Sequence, residues 1–184
     1  GSWGRAAGPD HSTRPCKEGL IVAVLDSTIW TPEAKIAYAA GIIDGEGSIS
    51  ILRMPNGGSR LYIQVGQSNK GYAVLDFLRD EFAAGMSKGY QPSGNRLPSK
   101  LCYWSSDNAY NFLLKVRPFL LSKVAQTALG IKFHEFVIAQ KAANRYKIIE
   151  WTTDIIAQSE AMYFQMKELN RKGLLDRTSD GIGI

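Results

Sequence analysis

Hydrophobic positions along this chain repeat first at helical spacing, then at every second residue, then at helical and alternate spacing once more, and finally at helical spacing to the end. Thr31-Pro32-Glu33 supplies an N-cap, a proline at the first helical position and an acid in the first turn, so a helix begins there. After Gly47 the pattern alternates: residues 48–54 and 60–67 flank Pro55-Asn56-Gly57-Gly58, a hairpin signal. Leu61, Ile63 and Val65 share one face of the second strand, with Arg60, Tyr62 and Gln64 on the other; Ile49 and Ile51 oppose Ser48 and Ser50 in the first. Val74, Leu75, Leu78 and Phe82 predict a helix over 72–82. A second hairpin is expected from 86–91 and 100–105, with a polar loop between, and its parity puts Met86, Lys88 and Tyr90 on one face. Helices over 108–116 and 122–146 follow, separated at Pro118. A last helix over 154–172 aligns Ile155, Ser159, Met162, Tyr163, Met166 and Leu169, with Gly173 as its terminator.

This order predicts an α+β fold, αββαββα, in which four antiparallel strands carry helices on one face and leave the other free, with extra C-terminal helices. The free face is a polar saddle, and a major groove admits a two-stranded ribbon. Residues 1–18, rich in Gly, Pro, Ser and charge, read as a disordered tail; 31–147 form the domain, 150–173 a helical extension and 174–184 a flexible tail.

The stretch 38–49, YAAGIIDGEGSI, organises the rest. At about 100° per residue, Ala37, Ala40, Gly41 and Asp44 fall on one bare arc of the first helix, opposite bulkier residues. Glycines inside a helix cost roughly 1 kcal/mol each relative to alanine unless a second backbone comes close, so this arc is expected to meet a partner helix. Asp44 and Glu46 crowd negative charge onto the negative end of the helix dipole. Mg²⁺, or Mn²⁺ in its place, relieves that, because it takes one or two carboxylates, carbonyl oxygens and waters. Gly45 lets the chain present a carbonyl beside Glu46. A solvated, glycine-rich helix end is the plainer alternative.

Ala39-Ala40-Gly41-Ile42-Ile43-Asp44-Gly45-Glu46-Gly47, followed by Ser48-Ile49, resembles the signature of the LAGLIDADG homing endonucleases, with alanine for the opening leucine, glycine for the second alanine and Glu for the final Asp. The resemblance covers roughly residues 33–139 and implies the αββαββα fold. It makes Glu46 the metal ligand, with the Gly45 carbonyl beside it. Ile63-Gln64-Val65-Gly66-Gln67 resembles the family's second strand, whose last glutamine orders water near the scissile phosphate, which assigns Gln67 that role. Arg117-Pro118-Phe119-Leu120 before Lys123 resembles the segment that delivers a basic residue to the site. A second basic residue of the family aligns with Gly71, so Lys70 is its candidate substitute. One copy of the motif implies a homodimer. The implied activity is Mg²⁺-dependent cleavage of both strands of a long, pseudo-palindromic DNA site across the minor groove, by an intron-encoded protein. Ser48, Ser50, Arg60, Tyr62, Gln64, Lys88, Tyr90, Arg96, Lys100 and Cys102 are the candidate DNA-binding residues; Arg and Lys favour guanine and Gln favours adenine.

Charge sharpens this picture. The 184 residues carry a net +5, and 10 Lys or Arg stand against 4 Asp or Glu between Arg53 and Lys123, leaving 12 against 13 elsewhere. The excess follows the acidic motif, as expected if phosphates approach it. A content of 45% hydrophobic and 21% charged residues reads as globular. No apolar run nears the ~20 residues of a membrane span, Cys16 and Cys102 make no disulfide framework, and an intracellular setting is expected: cytoplasm, nucleoid or organelle matrix. His11 and His134 lack metal-ligand spacing. The rival reading is a non-cleaving binder on the same fold, either a maturase with intron RNA as its partner or a transcription regulator. A structural dimer is the third.

Overall fold

In the computed structural model the described residues are 29–55, 57–68, 71–89, 98–143, 149 and 151–179, those after Arg171 as backbone alone. Helix α1 (Pro32–Glu46) starts where its cap predicts, with the Ala34 N–H donating to Thr31 Oγ1 at 3.2 Å. It passes with no intervening loop into β1 (Gly47–Arg53), which pairs antiparallel with β2 (Ser59–Ser68). Next come α2 (Tyr72–Phe82), β3 (Gly85–Met86) and β4 (Ser99–Ser105). The chain then forms α3 (Ser106–Val116), a 3₁₀ turn (Arg117–Phe119), α4 (Val124–Ala143) and α5 (Thr153–Ser179). The sheet is four-stranded in the order β1-β2-β4-β3, every pair antiparallel, as the alternation of periods predicts.

Alternate residues build the core. Ile49 and Ile51, Leu61, Ile63 and Val65, and Cys102 and Trp104 are all buried, and they point to one side of the sheet, where the helices lie. Trp104 stacks on Phe112 with centroids 4.0 Å apart, and its indole N–H reaches the Phe82 carbonyl at 2.8 Å. That bond lets a large amphipathic ring be buried without stranding its donor. α4 crosses the sheet at Gly130, where an added Cβ would stand 3.0 Å from Leu61 Cδ1 and 3.2 Å from Leu113 Cδ1. A side chain there would require Leu61 and Leu113 to give by a few tenths of an ångström.

α5 guards the open edge of the sheet. Asn170 Nδ2 donates to the Ile49 carbonyl on β1 at 3.0 Å. Arg53 at the end of β1 pairs with Glu160 at 2.9 Å and lies over the Tyr163 ring at 4.3 Å. Trp151 covers Gly58 in the hairpin turn so closely that a Cβ there would stand 2.7 Å from the ring. An edge strand capped in this way is blunted against pairing with another chain.

Two expectations are corrected. α5 continues through Gly173 to Ser179, so neither its predicted stop nor a tail beginning at 174 matches. Glycine ends a helix only when the next residues favour leaving it, and Leu174, Leu175 and Arg177 are good helix formers. β3 is only two residues long, not 86–91, because the Ser87 N–H donates to the Leu101 carbonyl but the Leu101 N–H returns to the Ser87 hydroxyl instead of a backbone carbonyl. The ladder stops there, Met86 packs against the core, and Lys88 lies exposed beyond the strand. Tyr90 and Arg96 fall outside the described residues, as does residues 1–18.

Candidate functional site

The end of α1 is shaped by a lack of space. A Cβ at Gly47 would stand 2.8 Å from both Cα and O of Ile43, so only glycine turns directly out of the helix into β1. The Gly47 N–H meanwhile donates back to the carbonyls of Ile42 and Ile43. This tight exit leaves Gly45 and Glu46 exposed at the tip. Among the described residues the Glu46 carboxylate takes part in no hydrogen bond or ion pair.

Asp44, two residues earlier, is fully committed. Its carboxylate accepts the backbone N–H groups of Leu121 at 2.6 Å, Ser122 at 3.2 Å and Lys123 at 3.0 Å. Burial works to raise its pKa, but these bonds together hold it below the usual carboxylate value. The clamp fixes the turn before α4, and Lys123 Nζ donates to the Asp44 carbonyl at 2.5 Å. A cation from the far part of the chain is thereby brought to the acidic tip of α1.

Gln67 belongs to the same end of the sheet. Gly47 pairs with Val65, so Gln67 lies level with the last residues of α1, and its parity is that of the core. Its side chain leans across Gly71, where a Cβ would come within 2.5 Å of Gln67 Oε1. Lys70, the expected second cation, lies outside the described residues.

The face of the sheet away from the core is half-exposed and polar. Ser48 stands opposite Gln64, Ser50 opposite Tyr62 and Leu52 opposite Arg60. The Arg60 guanidinium lies 5.8 Å from the Tyr62 ring centroid. Tyr62 stacks on Tyr103 at 5.8 Å with the rings 20° apart, and a Cβ at Gly85 would touch the Tyr103 ring at 2.7 Å. Burial, with the neighbouring Tyr103, raises the Tyr62 pKa, so its phenol stays a neutral donor.

On β4 the expected parity is inverted. Cys102 pairs with Val65 and is wholly buried beside Trp104, so it cannot meet DNA, and burial pushes its thiol up to about 11. Lys100 pairs with Gln67 and shares its side of the sheet instead of facing the saddle. Leu101, Tyr103 and Ser105 take the outer face. Trp104 was the signal available: so large an apolar residue belongs in the core, which turns Tyr103 outward.

The bare arc of α1 is also rotated. Ala40 is completely buried within its own chain and Asp44 is turned to the 121–123 segment, while Ala37 is half-buried. The open row is Ala34, Gly41 and Gly45, and a Cβ at either glycine would meet nothing within 4 Å.

As a cation site the α1 tip has a sparse donor set: no group of three or more His, Cys, Asp or Glu gathers among the described residues. One unspent carboxylate with a neighbouring carbonyl does fit Mg²⁺, which retains waters and takes its remaining ligands from phosphate oxygens. It would not make a closed zinc site. No helix among the described residues is long and apolar enough to cross a membrane.

No protein-family model matches this chain. A curated relative, DNA endonuclease I-CreI of Chlamydomonas reinhardtii, is 26% identical over 153 residues, covering 79% of this chain and 91% of its own. The fold is that of the homing endonuclease I-CvuI, solved in complex with its target, with a TM-score of 0.57 at 16% identity over 75% of this chain and 83% of that one. The archaeal intron-encoded homing endonuclease I-Vdi141I, complexed with DNA, matches with a TM-score of 0.52 at 18% identity over 73% and 83%. With its signature ending α1 in an exposed acid and its four-stranded sheet in this order, the chain has the fold of the LAGLIDADG homing endonucleases and is similar to them in sequence.

Proposed function

We propose that this protein is a sequence-specific DNA endonuclease that works as a homodimer and makes a metal-dependent double-strand break. The observation that carries the reading is the convergence at the α1 tip: an uncommitted Glu46 carboxylate beside a lysine drawn in from the start of α4. A pure binder has no use for an acid held at the surface where phosphates must approach. The relative I-CreI is a DNA endonuclease, and the solved neighbours named above were captured with DNA.

Glu46 and the Gly45 carbonyl would hold Mg²⁺, which when bound stabilises charge on the phosphate oxygens and lowers the pKa of a coordinated water. Gln67 orders the water that attacks phosphorus from the side opposite the 3′ oxygen. Lys123 donates to a non-bridging phosphate oxygen as its charge rises in the transition state. The O–P bond forms as the P–O3′ bond breaks, leaving a 5′ phosphate and a 3′ hydroxyl. Dimerisation through the open row of Gly41 and Gly45 sets two such tips side by side, close enough to serve both strands across a minor groove about 6 Å wide. Arg60, Tyr62, Gln64, Ser48 and Ser50 read bases from the saddle, and two-fold symmetry makes the site long and pseudo-palindromic.

The test is selection of cleaved sequences from a randomised duplex library in Mg²⁺. Two-fold related half-sites and cutting abolished by EDTA are expected, and Glu46→Gln should lose cutting while retaining the duplex. Recovery of bound but uncut duplex by the unmodified chain would instead make it a non-cleaving binder.

A further inference from the structure

We infer that Lys100 is a phosphate-binding residue of the cleavage site, filling the place that Gly71 leaves without a side chain; the inference rests on the endonuclease reading above. Three observations converge. Lys100 is the direct cross-strand partner of Gln67, and the two side chains leave the sheet on the same side. Cross-strand partners keep their Cβ atoms about 5 Å apart. Gly71 cannot carry a side chain without displacing Gln67, since a Cβ there would come within 2.5 Å of its Oε1. The Lys100 ammonium rests 4.6 Å from the centroid of the adjacent Tyr72 ring.

The cation is held but not consumed. Among the described residues no carboxylate pairs with Lys100, and a ring face attracts the ammonium without using up its N–H donors. The aliphatic stem runs past Gly89, with Cε and Cγ 3.7 and 3.8 Å from where a Cβ would stand, ordinary contact distances. Lys123, by contrast, already donates to the Asp44 carbonyl. β2 lies between β1 and β4, and strands are spaced about 4.8 Å apart. Lys100 and the start of β1 after Glu46 therefore flank Gln67 at a separation of about 10 Å. A DNA strand whose phosphate meets Glu46 and Gln67 passes next to Lys100. There the ammonium donates to a non-bridging oxygen of that phosphate, whose negative charge grows as the water oxygen bonds to phosphorus and the P–O3′ bond breaks. The water's proton leaves to solvent and the 3′ oxygen gains one.

The experiment uses the full chain and a duplex recovered from the randomised library. Single-turnover cleavage is measured in Mg²⁺, and Kd with Ca²⁺ in its place, for the unmodified chain, Lys100→Met and Lys100→Arg. Lys100→Met, which keeps the stem on Tyr72, should cut about 100-fold more slowly with Kd changed less than about threefold, and Lys100→Arg should recover most of the rate. A rate within threefold of the unmodified chain overturns the inference alone. So does an affinity loss equal to the rate loss, accompanied by a salt slope lower by about one, which marks an ordinary phosphate contact. If the unmodified chain binds and never cuts, the endonuclease reading falls and this inference with it.

Discussion

The Asp44 carboxylate accepts the Lys123 backbone N–H at 3.0 Å while the Lys123 ammonium donates back to the Asp44 carbonyl. Two residues far apart in sequence are thus bonded twice, once through each side chain. The first acid of the motif is accordingly an anchor for Lys123, while the second, Glu46, stays exposed at the tip. Asp44→Ala should cost about 1–2 kcal/mol, the usual loss when a side chain capping the start of a helix is removed. It should also slow cleavage by releasing Lys123. The same clamp predicts behaviour in acid. Because the folded pKa of Asp44 lies below its ordinary value, its stabilisation is complete above about pH 4 and is lost as pH falls through the folded value. Urea melts of the unmodified chain and Asp44→Asn should converge at low pH.

Gly41 and Gly45 are the positions at which folding can be tested apart from the proposed assembly. Nothing in the chain lies within 4 Å of a Cβ at either position, so Gly41→Ala should raise helix stability by up to about 1 kcal/mol. Gly41→Leu should fold equally well and sediment as a monomer, because the added side chain holds two α1 helices apart. A Gly41→Leu variant that remained dimeric would place the subunit contact elsewhere. The contrast with Gly47 is a control: Gly47→Ala meets Ile43 backbone at 2.8 Å and should destabilise by about 1–3 kcal/mol through overpacking.

His134 gives the stability a second pH dependence. It is buried on α4 and stacks on Tyr110 at 4.8 Å, with Nε2 2.9 Å from Asp107 Oδ1 but outside hydrogen-bond geometry. Desolvation lowers its pKa, outweighing the upward pull of Asp107. The unfolded chain therefore binds the proton first, and stability should drop as pH falls below about 6.5, reaching its full loss below the folded pKa. Denaturation midpoints at pH 7.5 and 5.5 should differ for the unmodified chain, and His134→Phe should narrow that difference.

The strands, the first four helices and the acidic tip were legible because each rests on a local rule. A Thr-Pro-Glu start, an alternation with one dominant apolar face and a glycine-rich turn are written within a few residues of where they act. What failed depended on rotation or on distant partners. Ala37, Ala40, Gly41 and Gly45 are equally small, so size could not say that Ala40 packs inward while Gly45 opens outward. Asp44 reads as part of the bare arc because its partners lie at 121–123, beyond any local pattern. The parity of β4 is ambiguous locally, because Lys100 and Cys102 alternate as polar positions would, although Cys is often buried and a terminal lysine can share a core-side parity.

β4 sets a sharp contrast between neighbours. Tyr103 faces outward, stacked on Tyr62 and seated over Gly85. Cys102 points the other way, wholly buried with its thiol pushed up to about 11. Tyr103→Ala should weaken binding of a cognate duplex by about 1–3 kcal/mol, the range of one good base contact, and should change the Tm less than a core truncation, because it vacates a half-exposed face. Cys102→Ser should do the reverse, because a hydroxyl in that apolar position lacks the partner it had in water; a loss of about 1–3 kcal/mol is expected with Kd for DNA unchanged. Anisotropy titrations and thermal melts of the two variants separate the outcomes. If Cys102→Ser weakened DNA binding while Tyr103→Ala did not, the saddle would lie on the opposite side of the sheet.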